Sequence, residues 1–412
     1  PLYRLERALF RLYGRGKRRL TLRSDVQTGI LTFHCADNFG AMLQAYGLMT
    51  ALLEEGIPAE IVAYEPPYMT GRHWLVPYVP GLWRRSPLRG AKYLLWRTWA
   101  NLSQGRNFFR RRAAMRRFRR ERLTGPDAPR LRTCLRFGRL PYACYVVGSD
   151  QIWNPEITFG LRRAYFGAFE NPRKRRVAAY AASLGSASLP PEYAQEFADL
   201  LRHVDAVSVR EEEALPYVGP LCRGEARALA DPVFLLERED WRQIERPPDR
   251  EGYILFYATE SHPEMTAYAQ TLSRRTGLPV VEVSCGTPEP GTGFQADLTA
   301  GPAEFLGYVH QAAYVVTNSF HAVAFSILFQ RPFLAFAHSR LNARVYNILR
   351  LHGLESRLCR PGREADIDAP VDWARAARRT RALAREGRAF LRENLPGPEN
   401  RDEERRPENG TP

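Results

Sequence analysis

The sequence lacks paired cysteines and long apolar runs. Its six cysteines are scattered over 412 residues without a CxxC pair, so neither a disulfide framework nor a zinc site is indicated. No apolar run approaches the ~20 residues of a transmembrane helix. Residues 1–28 are too rich in arginine and too interrupted to resemble a secretory signal. These absences predict a cytoplasmic protein in a reducing compartment.

Nucleotide-binding loops and metal motifs are also absent. The chain contains no Walker sequence and no GxGxxG, and its eight histidines form no HExxH and no His/Asp cluster at ligand spacing. This counts against a kinase, a dinucleotide-dependent enzyme and a metalloenzyme. We therefore expect no cofactor and no bound metal.

Lysine is scarce, and the positive charge is almost entirely arginine. The formal net charge is +15, yet only Lys17, Lys92 and Lys174 are lysines. The excess is concentrated in residues 84–139, where 18 Arg or Lys stand against two acidic residues. Such a block is typical of a solvated helix face, although anionic lipid, an acidic substrate or nucleic acid would also suit it. Since no RNA- or DNA-binding signature accompanies the block, we do not expect a nucleic-acid partner.

Strand and helix patterns alternate along most of the chain. Residues 29–64 predict a strand, a polar loop, a helix ending before Gly56 and a second strand. Such βαβ units build parallel sheets. A second alternating series runs from the strand at 253–259 to the strand at 331–336. The pattern predicts an α/β protein with two Rossmann-like, doubly wound domains facing a cleft.

The sequence predicts five segments along the chain. With 44% hydrophobic residues, the chain can bury two cores. The segments are a basic extension at 1–28, a Rossmann-like domain at 29–245 with a basic and aromatic insertion at 65–140, a second such domain at 246–370, a helix at 371–395 that packs back across the domains, and a tail at 396–412. The tail is polar and rich in proline, so we expect it to be disordered.

Polar residues follow the predicted strand ends, where open α/β sheets bind ligands. The residues in this position are His34, Asp37, Asn38, Ser149, Asp150, Arg210, Asn318, Ser319 and His321. A lone histidine is often a core residue whose ring nitrogens are satisfied by backbone groups. Because other polar residues share the strand-end position of His321, we expect His321 to line a cleft instead.

Some of these residues have structural alternatives. Asp37 and Asn38 either bind the acceptor or cap the helix that begins near Phe39. Asp150 is either a general base or a turn carboxylate. Gly40 would allow the backbone to approach a ligand or the adjacent strand closely.

An ordered set of segments resembles the polysaccharide pyruvyl transferase family over roughly residues 29–360. The segments are GILTFHCADNFGAMLQAYGL, VGSDQIWNP, AYAASLG, VSVREEEAL, DPVFLL and TNSFHAVAFSILFQRPF. The resemblance implies a two-domain fold like that of the GT-B glycosyltransferases. It also implies transfer of a pyruvyl group from phosphoenolpyruvate to sugar hydroxyls, giving a ketal, in the synthesis of cell-surface polysaccharides.

The resemblance assigns roles residue by residue. Arg210 matches the family arginine that is expected to hold the donor's anionic groups. His321 matches the histidine of the family's Arg-Leu-His segment and would serve as the acid/base or phosphate-stabilising group. Here Ser319 replaces the arginine of that segment, as in a branch that has Ser-Phe-His, and Arg340 or Arg344 is placed to supply the missing charge. The loop from His34 to Gly40 would shape the acceptor pocket.

Two other functions stay open at this stage. One is a GT-B glycosyltransferase that uses a nucleotide sugar, and the other is a non-catalytic anion- or membrane-binding protein. The predicted partners are phosphoenolpyruvate and a saccharide acceptor. A lipid-linked acceptor and a peripheral contact at the inner face of the membrane remain open as well, because residues 70–100 add four tryptophans to the basic block.

Overall fold

The computed structural model describes residues 28–79, 87–125, 128–170, 175–284, 288–337, 342–360 and 365–395. The predicted tail and all but the last residue of the predicted extension lie outside the described residues. So does Arg340.

Two six-stranded sheets, parallel throughout, organise the described residues. The first sheet contains β1 (Thr28–Leu31), β2 (Ala59–Ile61), β3 (Cys144–Gly148), β4 (Arg176–Ala182), β5 (Ala206–Val209) and β6 (Arg227–Ala228). The second contains β7 (Ile254–Tyr257), β8 (Val280–Val283), β9 (Gln295–Asp297), β10 (Tyr314–Thr317), β11 (Phe333–Phe336) and β12 (Leu358–Cys359). The predicted α/β class with two Rossmann-like sheets is confirmed.

The strand orders locate the positions at which such sheets bind ligands. The first sheet has the order β2-β1-β3-β4-β5-β6, and the second has β12-β11-β10-β7-β8-β9. The order reverses direction at β1/β3 in the first sheet and at β7/β10 in the second. The crevice beyond the carboxyl ends of the strands at such a reversal is where open α/β sheets bind ligands.

Helices and short turns cover both sheets. The α-helices are α1 (Phe39–Glu54), α2 (Pro67–Thr70), α3 (Pro87–Ser103), α4 (Arg106–Phe118), α5 (Pro155–Thr158), α6 (Ala194–Leu201), α7 (Leu215–Val218), α8 (Arg238–Arg242), α9 (Pro263–Thr276), α10 (Pro302–Gln311), α11 (Phe320–Leu328), α12 (Asn342–His352) and α13 (Trp373–Asn394). A π-helical turn at Arg119–Leu123 continues α4, and a 3₁₀ turn at Pro232–Leu235 follows β6. The predicted insertion thus contributes α3 and α4.

Helix α1 joins the two halves of the molecule. Its first residue, Phe39, stacks on Phe305 of α10 with ring centroids 5.0 Å apart and lies 5.8 Å from the Tyr257 ring at the end of β7. The helix ends as predicted, because Gly56 adopts a positive φ of 71° just beyond the last turn. The amino terminus of α1 is therefore fixed against the second sheet. The predicted domain limits themselves stay a prediction.

Helix α13 crosses back over both halves. Arg388 donates to the carbonyl of Leu235 and to Glu55, both in the first half. Arg379 donates to the carbonyls of Arg350 and Leu351 at the end of α12 in the second half.

Three buried histidines predict a loss of stability in acid. Burial lowers the pKa of His34 and His321 to about 3 and that of His352 to about 4. The unfolded chain binds protons at these positions near pH 6.5 and the folded chain does not, so acidification from pH 7 to pH 5 favours unfolding. Each histidine should cost about 2 kcal/mol of unfolding free energy over that interval. Urea titrations at several pH values measure the slope.

The pH dependence of stability can be compared between a variant of a buried histidine and a variant of an exposed one. His34→Asn keeps a donor for the Thr32 carbonyl, which His34 Nδ1 contacts at 3.2 Å, and should flatten the pH slope. His203→Asn, at an exposed position, should change the slope much less. Equal slopes for wild type and His34→Asn would contradict this assignment.

Candidate functional site

The carboxyl ends of the two sheets meet around one buried carboxylate. Arg210 follows β5 directly, and Ser149 follows β3. His321 lies in the first turn of α11, just after β10. All three side chains approach Asp231, which precedes the 3₁₀ turn at Pro232–Leu235.

Asp231 is the centre of this group. Its Oδ2 lies 2.8 Å from Arg210 Nη1, 3.8 Å from His321 Nε2 and 3.5 Å from Ser149 Oγ. Its Oδ1 accepts a hydrogen bond of 3.1 Å from the backbone N–H of Val233. One carboxylate therefore fixes a turn, pairs with Arg210 and lies close to the His321 ring without a hydrogen bond to it.

Arg210 is held by three carboxylates and one aromatic ring. Its Nε lies 3.2 Å from Glu211, its Nη1 lies 3.9 Å from Asp150, and its Cζ lies 4.8 Å from the centre of the Phe320 ring. Burial by itself would lower the pKa of Arg210, but Glu211, Asp231 and Asp150 raise it above its ordinary value. The second terminal nitrogen, Nη2, is buried and has no hydrogen-bond partner among the residues that the structure describes. A planar guanidinium with one free nitrogen is suited to an anionic ligand.

His321 sits in a space that a glycine provides. A Cβ placed on Gly40 of α1 would lie 1.9 Å from His321 Nδ1, so only glycine leaves room for the imidazole. Burial, followed by the charges of Arg210 and Arg344, lowers the pKa of His321 to about 3 against the opposing effect of Asp150. The ring is therefore neutral near pH 7. Its Nε2 is buried and has no hydrogen-bond partner in the described part of the chain.

A narrow cavity opens beside Arg210 and Asp231. Its lining includes Arg344, Asn347 and His352 from α12. Burial, and then the neighbouring Arg210 charge, lowers the pKa of Arg344 to about 10. The carboxylates of Glu211 and Asp231 line the same cavity and oppose this lowering. Within the described ranges, the Nε of Arg344 has no hydrogen-bond partner.

Other residues predicted from the sequence have structural contacts at the strand ends. Asn318 accepts hydrogen bonds from the N–H and hydroxyl of Thr259 and donates to the carbonyl of Glu260, which ties the ends of β10 and β7 together. Ser319 caps α11, and Ser149 donates to the Ala181 carbonyl at 2.8 Å.

The residues of the loop from His34 to Gly40, and Asp150, differ in their surroundings. Asn38 caps α1 by accepting from the Ala41 N–H at 3.0 Å, whereas Asp37 faces Arg112 of α4 at 3.9 Å. The His34 ring is fully buried below the loop. Asp150 has a positive φ of 67° and accepts from the N–H of Gln151, so it is at least a turn carboxylate. Ligand binding by these residues stays a prediction.

Two residues of the cluster were not predicted as site residues. Asp231 belongs to the segment DPVFLL, which entered the family resemblance without a role for the aspartate. Glu211 directly precedes a 3₁₀ turn at Glu212–Ala214, and its carboxylate accepts from Ser183 at 2.7 Å and from Arg210. A carboxylate before a proline, followed by an apolar run, was the available signal for Asp231. Within the described ranges, no group of three or more His, Cys, Asp or Glu residues could hold a metal ion.

A comparison with known protein families finds one match over most of the chain. A family model described as polysaccharide pyruvyl transferase matches residues 38–340, which is most of the chain and includes Arg210, Asp231 and His321. The chain belongs to the polysaccharide pyruvyl transferase family. It is therefore a transferase. A search of curated protein sequences finds no match.

Solved structures resemble the polysaccharide pyruvyl transferase described here only distantly. The UDP-GlcNAc 2-epimerase of Methanocaldococcus jannaschii is 9% identical with a TM-score of 0.43, over 89% of this chain and 98% of the epimerase. The epimerase of Neisseria meningitidis is 11% identical with a TM-score of 0.42, over 90% and 95%. The heptosyltransferase WaaC of E. coli is 10% identical with a TM-score of 0.35, over 78% and 98%. Similarity at this level carries no argument about substrate.

The contact between Gly40 and His321 can be tested by adding one methyl group. The backbone of α1 accepts alanine, so Gly40→Ala should act through the imidazole alone and displace it. Overpacking of this kind costs about 1–3 kcal/mol of unfolding free energy. Gly219→Ala is the matched control, since a Cβ there meets nothing within 4 Å. Equal stability of both variants in urea titrations would show that the ring moves aside freely.

The charge of Asp231 can be removed without removing the cap. The amide oxygen introduced by Asp231→Asn can still accept from the Val233 N–H, so this substitution should chiefly weaken the 2.8 Å contact with Arg210. Because Glu211 and Asp150 remain, we expect a loss of about 1–3 kcal/mol in unfolding free energy, measured by urea titration. Asp205→Asn is the control, because Asp205 accepts only from the Val177 N–H among the bonds described. A loss no larger than that of the control would contradict a central role for the charge.

Proposed function

We propose that this transferase moves a pyruvyl group from phosphoenolpyruvate to two hydroxyls of a saccharide, forming a ketal, in the cytoplasmic synthesis of a cell-surface polysaccharide. The observation that supports the proposal is the approach of Arg210 and His321 to the same oxygen of Asp231, each with a buried nitrogen that has no partner. A buried cation and a buried imidazole with free nitrogens are suited to a small anionic donor.

The donor would be held by two arginines. Phosphoenolpyruvate carries a carboxylate and a phosphate, and guanidinium groups pair well with both. In this proposal Arg210 binds one group through Nη2, and Arg344 takes the place of the arginine that the Ser-Phe-His segment lacks. The amino terminus of α11 adds backbone N–H groups and a positive dipole end near Ser319.

The chemistry requires proton transfers that one histidine can provide. Protonation of the donor's methylene carbon creates an oxocarbenium-like centre at C2, and a first sugar hydroxyl adds to it with loss of its proton. The bond between C2 and the phosphate oxygen then breaks, inorganic phosphate leaves, and an oxocarbenium-like centre forms again at C2. A second hydroxyl attacks this centre and loses its proton, which completes the ketal. The neutral imidazole of His321 would accept a hydroxyl proton, while a bound donor dianion would raise its pKa and allow it to act as the acid.

The acceptor would enter from the side of α1. The loop from Asp37 to Gly40 lies at the start of this helix, and Arg112 faces Asp37 there. We propose that this loop contacts the saccharide and that Asp150 orients Arg210 or a hydroxyl. A lipid-linked saccharide is the acceptor class that suits synthesis at a membrane.

Donor identity can be tested by ligand-dependent thermal shift. Phosphoenolpyruvate should raise the melting temperature of wild type, and a panel of nucleotide sugars should not. The shift should be lost in Arg210→Met and retained in Arg202→Met, whose arginine is largely exposed on the surface. Stabilisation by a nucleotide sugar alone would favour the glycosyltransferase function instead.

The role of His321 requires a turnover assay. With phosphoenolpyruvate and a permeabilised-cell saccharide fraction, release of inorganic phosphate that depends on the acceptor measures the reaction. His321→Ala should lower kcat by about 10²–10⁴-fold, the range for general acid–base groups. His203→Ala serves as the control. Undiminished turnover by a folded His321→Ala protein would remove His321 from the mechanism.

A further inference from the structure

Helix α3 presents a row of large apolar side chains to solvent. Leu88 is 86% exposed, Leu95 72% and Trp99 66%, and Trp96 and Leu102 are each more than half exposed. Leu88, Leu95, Trp99 and Leu102 recur at intervals of seven, four and three residues, which places them on one helical face. A continuous apolar patch of this kind on a protein surface marks an interaction site.

The opposite face of α3 is anchored to the protein. Gly90, Ala100 and Asn101 are its buried residues. The Asn101 side chain donates to the carbonyls of Trp74 and Leu75 at 3.3 and 3.0 Å. The helix is therefore oriented, with one side fixed and the other side apolar.

The basic residues of α3 and α4 indicate which class of partner would bind this apolar face. Helices α3 and α4 together contain no acidic residue, while α3 carries Arg89, Lys92 and Arg97 and α4 carries six arginines. Lys92 is exposed on the apolar face itself, where its aliphatic stem can lie along the apolar side chains with the ammonium group at the surface. A second copy of the chain docked through this face would bring like charges together. An anionic lipid surface offers the opposite charge and an apolar layer below it.

We propose that α3 lies in the headgroup region of an anionic membrane, with Leu88, Leu95, Trp99 and Leu102 buried among the acyl chains. Tryptophan favours this interfacial depth because its ring is apolar and its N–H is polar. Within the part of the chain that the structure describes, no helix is long and apolar enough to cross a membrane. The attachment is therefore interfacial in the described region.

Helix α4 connects the apolar face of α3 to the candidate site. Helix α4 follows α3 directly, and its Arg112 faces Asp37 in the loop before Gly40 and His321. Its Arg117 lies 2.7 Å from Glu304 of α10 in the second half. Insofar as this rests on the proposed function, the surface would deliver an acceptor carried on a lipid to the loop from Asp37 to Gly40. Binding to the membrane itself does not depend on the donor.

Vesicle flotation tests the surface with the intact protein and no substrate. Wild type should float with vesicles of phosphatidylcholine containing about 30% phosphatidylglycerol and should bind pure phosphatidylcholine at least tenfold more weakly. Leu95→Ser/Trp99→Ser should weaken binding to the anionic vesicles at least tenfold. Lys92→Gln should weaken it about fivefold, since each basic residue near such a surface contributes about 1 kcal/mol. Leu53→Ser/Tyr346→Ser, which removes exposed apolar side chains elsewhere, should leave binding unchanged.

Separate readouts keep the two proposals distinguishable. All variants should retain the wild-type melting temperature and the wild-type response to phosphoenolpyruvate, because the substituted residues lie outside the site. Vesicle binding without a response to phosphoenolpyruvate would overturn the proposed donor and leave the membrane surface standing. No flotation of wild type, or flotation unaffected by Leu95→Ser/Trp99→Ser, would overturn the membrane proposal. So would light scattering that shows a dimer abolished by the same substitutions.

Discussion

The buried ion pair between Arg210 and Asp231 is the contact on which the arrangement of the site depends. Removing two charges from water is costly, and such a pair is stable only when further hydrogen bonds satisfy both groups. Here Glu211 and Asp150 support the guanidinium, and the Val233 N–H supports the carboxylate. The same turn is packed against α1, where a Cβ on Gly47 would lie 2.7 Å from the Pro232 carbonyl. The ion pair therefore links the end of β5 to the helix whose first turn receives His321.

Much of this arrangement could be predicted from local pattern. Arg210 and His321 each follow an apolar strand, and parallel sheets bring such positions to one edge. Asp231 could not be predicted in the same way, because β6 has only two residues and gives no strand signal before it. The close contact between Gly40 and the His321 imidazole could not be predicted from local pattern either, because the two residues lie in different halves of the chain. Asn318 shows the reverse case, in which a polar residue at a strand end uses its amide on Thr259 and Glu260.

The arginine-rich block divides into two parts with different surroundings. Several arginines of α4 and its π-helical extension make contacts within the protein, as Arg112 does with Asp37, Arg117 with Glu304 and Arg119 with the Cys35 carbonyl. In contrast, the large apolar side chains of α3 remain exposed to solvent. Composition alone described the whole block as one solvated face, because net charge does not report which side chains find carboxylates or carbonyls in the folded chain.

The path of α13 limits how the molecule can move. One end of this helix is bonded through Arg388 and Arg392 to Glu55, and its middle is bonded through Arg379 to the end of α12. A wide hinge motion that parted the halves would have to break one of these sets or bend the helix. We therefore expect ligand exchange to proceed through small shear motions and rotamer changes at the cavity mouth. Bracing of this kind would slow the release of a bound product but would keep a reaction centre between the halves shielded from water.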